Sequence, residues 1–123
     1  MTLPQLPYNL HDAHLVRVIS GPRRAVTFTL DVLNGRFQQQ RVHIRLGGIS
    51  NFTEVETYVA RIPPARSRDA YVAQIDAFGY AANVHSSAHN LIFELAIERV
   101  GLTRIRCRNL AIRTDEQAEF TLL

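Results

Sequence analysis

The sequence predicts a mainly β protein: a two-layer β-sandwich or a partly open barrel of about seven antiparallel strands, with at most one or two short helices. Three observations predict it. Apolar and polar residues alternate over many short segments, and glycine, proline and asparagine punctuate them as turn signals. Two hairpins of one kind can also be drawn with one consistent face each, an agreement between local and longer-range pattern. The 123 residues suit one domain spanning 1–123, and a chain of this size buries roughly two thirds of the surface it exposes when unfolded.

Residues 1–9 carry Pro4 and Pro7 and read as an extended lead-in. In LHDAHLVRVIS, the residues Leu15, Val16, Val18 and Ile19 suit a strand that Gly21-Pro22 ends. From Ala25 to Leu33 the alternation is regular, with Val26, Phe28, Leu30 and Val32 on one side and Thr27, Thr29 and Asp31 on the other. The return strand has Val42, Ile44 and Leu46 as its apolar set. Directly opposed residues in an antiparallel pair share a face, so a two-residue Asn34-Gly35 loop, which sets Phe28 opposite Arg41, is disfavoured. A three-residue loop Leu33-Asn34-Gly35, with glycine at positive φ, sets Val26 opposite Val42 and is expected instead.

The stretch from Phe52 to Ile62 is ambiguous. Phe52, Val55, Val59 and Ile62 fit a helical stripe and Asn51-x-x-Glu54 a capping box, while the β-formers of TEVETYV favour a strand, which is the expectation adopted. Pro63-Pro64 stops it, and PPARSRD follows as an exposed connector. Tyr71 to Tyr80 is expected as a strand with Tyr71, Ala73, Ile75 and Ala77 on one side, and NVHSSAHN as a loop. The clearest pattern runs from Leu91 to Arg113 and reads as two long antiparallel strands. Leu91, Phe93, Leu95 and Ile97 face inward with Ile105 and Cys107, and Arg104, Arg106 and Arg108 face outward. A three-residue loop Arg99-Val100-Gly101 sets Leu95 opposite Ile105, Phe93 opposite Cys107 and Glu94 opposite Arg106. The tail, 114–123, is acidic through Asp115, Glu116 and Glu119, and reads as a short capped helical turn or a frayed end.

Every one of the fourteen basic side chains is arginine, which excludes a P-loop and Schiff-base chemistry, since each needs a lysine. A net charge of +3 does not by itself argue for nucleic acid. No apolar run approaches the roughly 20 residues of a membrane helix and no signal-peptide pattern opens the chain, so a cytoplasmic protein without a membrane role is expected. Cys107, the single cysteine, cannot form an intramolecular disulfide and reads as a small buried hydrophobe.

His11-x-x-His14 and His85-x-x-x-His89 have spacings that suit a metal on a helix, but they fall at a strand start and in a loop. No metal and no cofactor is assigned. Ser86, Ser87, His85 and Asp76 offer a nucleophile and a base without any frame to position them, so no catalytic residue is assigned and the balance is against an enzyme. The stripe of Arg104, Arg106 and Arg108 is the candidate basic face. It lacks interleaved aromatics and is neutralised in part by Glu94, so it reads as a solvated outer face, with RNA binding as a lesser alternative.

LHDAHLVRVIS, the TFTLDV strand, VHIRLGGIS with its Gly48-Ile49-Ser50, and LTRIRCRNLAI together resemble a class of small uncharacterised bacterial β-proteins that open on a Leu-His-Asp-Ala motif. Some of these are similar to immunity proteins of polymorphic toxin systems. The resemblance covers most of the chain except 52–90, where no motif matches. It implies a binding or neutralising role without catalysis, a protein partner, and a shared role for His11 and Asp12. That role reads first as structural, with Asp12 accepting backbone N–H bonds and His11 packing beside it. A homodimer through an exposed strand edge is a further expectation. The alternative from another class is a small-ligand or hydrolytic protein using the His85–His89 loop with His11 and Asp12.

Overall fold

The computed structural model describes residues 3, 5–33, 38–64, 71–115 and 120–121. Among these, the chain runs β1 (His14–Gly21), β2 (Ala25–Leu33), β3 (Gln39–Gly47), α1 (Phe52–Ala60), β4 (Ala73–Tyr80), β5 (Leu91–Ile97), β6 (Gly101–Cys107), β7 (Asn109–Thr114) and the two-residue β8 (Phe120–Thr121). The protein is mainly β, as expected. All strand pairs are antiparallel, in the order β6-β5-β4-β1-β2-β3-β7-β8, and the end strands do not pair, so the sheet is open.

Two features bend this sheet over one core. Where β1 meets β4 only His14↔Gln74 and Leu15↔Ala73 pair, and the register shifts between Leu15 and Arg17 in one strand and between Ile75 and Ala77 in the other. A bulge inserts an unpaired residue and bends its strand, so paired bulges crease the sheet along this line. On the far side, Arg108 alone separates β6 from β7, although β6 pairs with β5 and β7 with β3. The expected long arm therefore breaks in two. Its halves belong to opposite parts of the sheet, and their apolar faces share one core with Phe28, Phe78 and Phe93 in edge-on contact at 5.2 and 6.2 Å between ring centres.

The hairpin faces agree with the alternation, but both registers differ from expectation. Val26 lies opposite Leu46 rather than Val42, and Leu33 still pairs, with Gln39, so it is not a loop residue. The Asn34-Gly35 turn itself lies outside the described residues. In the second hairpin Leu95 faces Thr103, Phe93 faces Ile105 and Glu94 faces Arg104. The loop is Glu98-Arg99-Val100, closed by the Ile97↔Gly101 pair, with Arg99 at φ 66° and Gly101 at φ 106°. Two left-handed residues, one of them not glycine, make this turn. The bulge at Asp76 also resets the alternation in β4: Ile75 and Phe78 are buried while Ala77 is exposed, against the expected common face. Phe120–Thr121, within the tail, form β8, whose backbone pairs with Ala111 and Ile112.

Residues 52–60 form a helix, not the expected strand. Val55 and Tyr58 are its buried residues, with Phe52, Val59 and Ile62 packed on the core, and this helical spacing outweighs the β propensity of the segment. Asn51 does not cap the helix through its side chain. Its carboxamide instead receives the backbone N–H of Arg106 at 3.0 Å and donates to the carbonyl of Arg104 at 2.8 Å, while Ser50 N–H donates to the Arg106 carbonyl and Arg108 N–H to the Gly47 carbonyl. The segment 47–51 thus occupies outward-facing backbone groups of β6, an end strand, and blunts it as a pairing edge.

Tyr58 ties the helix to the β5–β6 turn: its hydroxyl donates to the Gly101 carbonyl at 2.6 Å and accepts from Ile97 N–H at 3.2 Å. Burial pushes its phenol up from the ordinary range. Tyr58→Phe should remove both bonds and destabilise the fold by about 1–3 kcal/mol, measured by urea denaturation. Cys107 is 2% exposed, and burial pushes its thiol up to about 12. It should resist a thiol-reactive dye at pH 8 in the native protein and react fully once urea unfolds it.

Candidate binding cleft

The strand registers set out a polar face on the outside of β1–β3 and their neighbours. Opposed pairs give one row Gln74–His14–Asp31–Arg41 across β4, β1, β2 and β3, and a second row Arg17–Thr29–His43–Arg113 ending on β7. From the first row, His14 and Asp31 line the main candidate site. A cleft of about 540 Å³ opens where the chain before β1 passes the end of β2 and the starts of β3 and β4. Asn9, His11, Asp12, His14, Asp31 and Tyr71 are among its lining residues, with Leu33 and Gln39.

Internal bonds hold its polar groups. Asp31 is buried, and both carboxylate oxygens bind Arg41, at 2.9 Å to Nε and 3.1 Å to Nη2. Gln39 donates to Asp31 and to the Tyr71 hydroxyl. Tyr71 stacks on His14 with ring centres 4.4 Å apart and planes 19° from parallel. Asp12 sits at φ 65°, a left-handed conformation that Asp and Asn adopt more readily than most residues. Its carboxylate accepts from the Gln74 side chain at 3.0 Å, and its own N–H donates to the Ile75 carbonyl. The expected acceptance of backbone N–H bonds by Asp12 is therefore replaced by a side-chain partner. His11 contacts the Asp76 carbonyl through Nδ1 at 2.6 Å, and its Nε2 lies 3.5 Å from Asp12 Oδ2.

His11, Asp12 and His14 thus converge in one cleft. His89 lines a different and smaller one, about 240 Å³, with Ser50, Arg106 and Arg108, and the exposed His85 lines neither. The alternative site joining the His85–His89 loop to His11 and Asp12 is not assembled. Among the described residues no three His, Cys, Asp or Glu side chains come together as a metal-binding group. Ser86, a candidate nucleophile, accepts from the backbone N–H of Ile92.

The arginine stripe is shortened as well as shifted. Arg104, not Arg106, pairs with Glu94, at 3.2 Å. Arg108 leaves the strand altogether and turns the corner into β7, where its Cβ lies 3.2 Å from where a Cβ on Gly48, at φ 62°, would stand. Glycine is needed at position 48 for both the close approach and the backbone conformation.

One cluster escapes a reading by sequence spacing. His43 Nε2 bonds Asp115 Oδ1 at 2.5 Å, and Nδ1 bonds the Thr29 hydroxyl at 2.9 Å. A carboxylate only accepts, so Nε2 carries a proton; where the ring is neutral, Thr29 donates to Nδ1. This hydroxyl–imidazole–carboxylate chain resembles a catalytic relay in connectivity, but Thr29 is 2% exposed and no substrate reaches its oxygen. It joins β2, β3 and the residue after β7. Only the strand pairing, which brings positions 29, 43 and 115 together, reveals it.

Comparison with protein-family models, curated proteins and solved structures finds no match to this chain.

The hydrogen bond from His43 holds the Asp115 carboxyl below its ordinary range, with Arg41 and Arg113 adding to the effect. A carboxylate whose folded pKa is depressed stabilises the fold above its unfolded pKa, and the contribution fades as pH falls through the lower folded value. Asp115→Asn should therefore lower the melting temperature at neutral pH. The difference from wild type should vanish on acidification below the carboxylate range, as followed by thermal denaturation across pH.

Proposed function

We propose that this protein is a non-catalytic binding module for a protein partner, of the immunity-like kind that its opening motif resembles, and that the cleft end of the molecule is its binding surface. One observation carries the reading: the cleft rim presents Leu33, 68% exposed, and Tyr71, 45% exposed, around polar groups already fixed by internal bonds. An exposed aliphatic and an exposed tyrosine beside a preorganised polar floor are what a protein-binding hot spot uses, because the apolar groups gain by losing water and the fixed groups lose little freedom. Ile19 and Leu102, the other large exposed hydrophobics among the described residues, line none of the clefts described above.

The same reading puts the protein in the cytoplasm, supported by a lone buried cysteine. The occupied backbone groups of β6 favour a side-chain surface over strand addition at that edge.

Affinity capture from the native cell lysate with the immobilised full chain tests this proposal. A stoichiometric partner should be retained by wild type and by His85→Ala/His89→Ala, and lost by Leu33→Glu combined with Tyr71→Ala, with melting curves establishing that each variant is folded. Capture of no protein, or capture undiminished by the Leu33 and Tyr71 changes, would refute it.

A further inference from the structure

We infer that the cleft receives the guanidinium of an arginine side chain, held between the His11–Asp12 pair and the stacked His14–Tyr71 rings. That the arginine belongs to a protein rests on the proposed function; the recognition chemistry rests on the cleft itself.

The backbone contact of His11 fixes the tautomer of its ring. A backbone carbonyl only accepts, so the 2.6 Å contact to the Asp76 carbonyl places a proton on Nδ1. In the neutral ring Nε2 is then an acceptor, and it stands 3.5 Å from Asp12 Oδ2, a second acceptor. The other carboxylate oxygen, Oδ1, receives the Gln74 amide. With the ring neutral, two acceptors facing the same space at this separation can share one donor, and a charged one gives the stronger bonds. Both side chains are 65% exposed, so the donor can come from outside.

Most polar groups in the rest of the cleft are already committed. The two oxygens of Asp31 are committed to Arg41, and Gln39 is shared between Asp31 and Tyr71. Asp12 is the lining carboxylate with an exposed oxygen, and no arginine is among the described lining residues. A lone positive charge therefore meets no like charge among those described residues. The His14–Tyr71 pair lies in the row next to Gln74, which itself holds Asp12, so ring faces and acceptors belong to one contiguous surface.

These features together select guanidinium over other cations. Its planar fork can place N–H groups on two separate acceptors while its face stacks on an aromatic ring. An ammonium group offers no such plane. A divalent metal would find, among the described residues, no group of the three or four ligands it needs. The cleft volume of about 540 Å³ holds a side chain of this length with room for its backbone at the mouth.

The probe is N-acetyl-arginine amide, with N-acetyl-citrulline amide as its uncharged isostere, followed by NMR of the histidine and tyrosine ring resonances of the full chain. The arginine compound should shift the His11, His14 and Tyr71 resonances saturably, and the citrulline compound should not. Asp12→Asn should weaken the arginine compound by about tenfold or more, as loss of a charge-assisted pair does. Asparagine tolerates φ 65° as aspartate does, so this variant keeps the local backbone. No ring shift by about 50 mM, equal shifts with citrulline, or indifference to Asp12→Asn would each overturn the inference. The two readings fail separately. A captured partner that Asp12→Asn still retains refutes the arginine and leaves the binding module. Saturable arginine binding without any captured protein refutes the partner and leaves the recognition chemistry.

Discussion

A single residue, Arg108, separates β6 from β7, and this connection constrains the whole molecule. The two strands pair at opposite parts of the sheet, so one residue of chain can join them only if the sheet bends until they meet. The bend is supplied at the β1–β4 line, where only two residue pairs form and a bulge lies on each side. The corner is secured by the bond from Arg108 N–H to the Gly47 carbonyl and by the bare backbone of Gly48 under the Arg108 side chain. Helix α1 packs on β6, and its buried tyrosine ties down the β5–β6 turn.

The cleft is a product of the same crease. The bulge leaves the Asp76 carbonyl in reach of His11, and the short β1–β4 pairing places Gln74 beside His14 and under Asp12. The His11–Asp12 side of the cleft is thereby held against the irregular part of β4. Fixed groups are the condition for recognition that does not have to order its own side chains first. The outer polar rows follow the same logic: Thr29, Asp31 and His43 are buried, and each is hydrogen-bonded, which removes the penalty an unpaired polar group would carry.

Period-two alternation made the strands and their inward faces legible, and it could do no more. A slip of two residues between Leu91–Ile97 and Gly101–Cys107, or of four between Ala25–Leu33 and Gln39–Gly47, keeps every side chain on its expected face. Alternation therefore cannot tell Glu94↔Arg104 from Glu94↔Arg106; only the geometry of the turn, with Arg99 in the left-handed region, decides it. The helix was hidden for a different reason. TEVETYV favours a strand locally, and the packing of Val55 and Tyr58 against the core overrides that preference. His11, Asp12 and His14 were visible as a motif, whereas Asp31, Gln39 and Tyr71 join them only through pairings between distant strands. His43 and Asp115, 72 residues apart, carried no spacing signal at all.

The order in which the chain can assemble follows from the β3–β7 pairing. β1–β2–β3 and β4–β5–β6 are each sequential, so their pairings close short loops, but β7 must find β3 across roughly sixty to seventy residues. The entropy of that closure is incurred once, and the hairpins already formed reduce it by shortening the free chain between them. β7 docking on β3 and the short β1–β4 contact together join the two meanders into one unit, and both are long-range closures of the kind that slows folding.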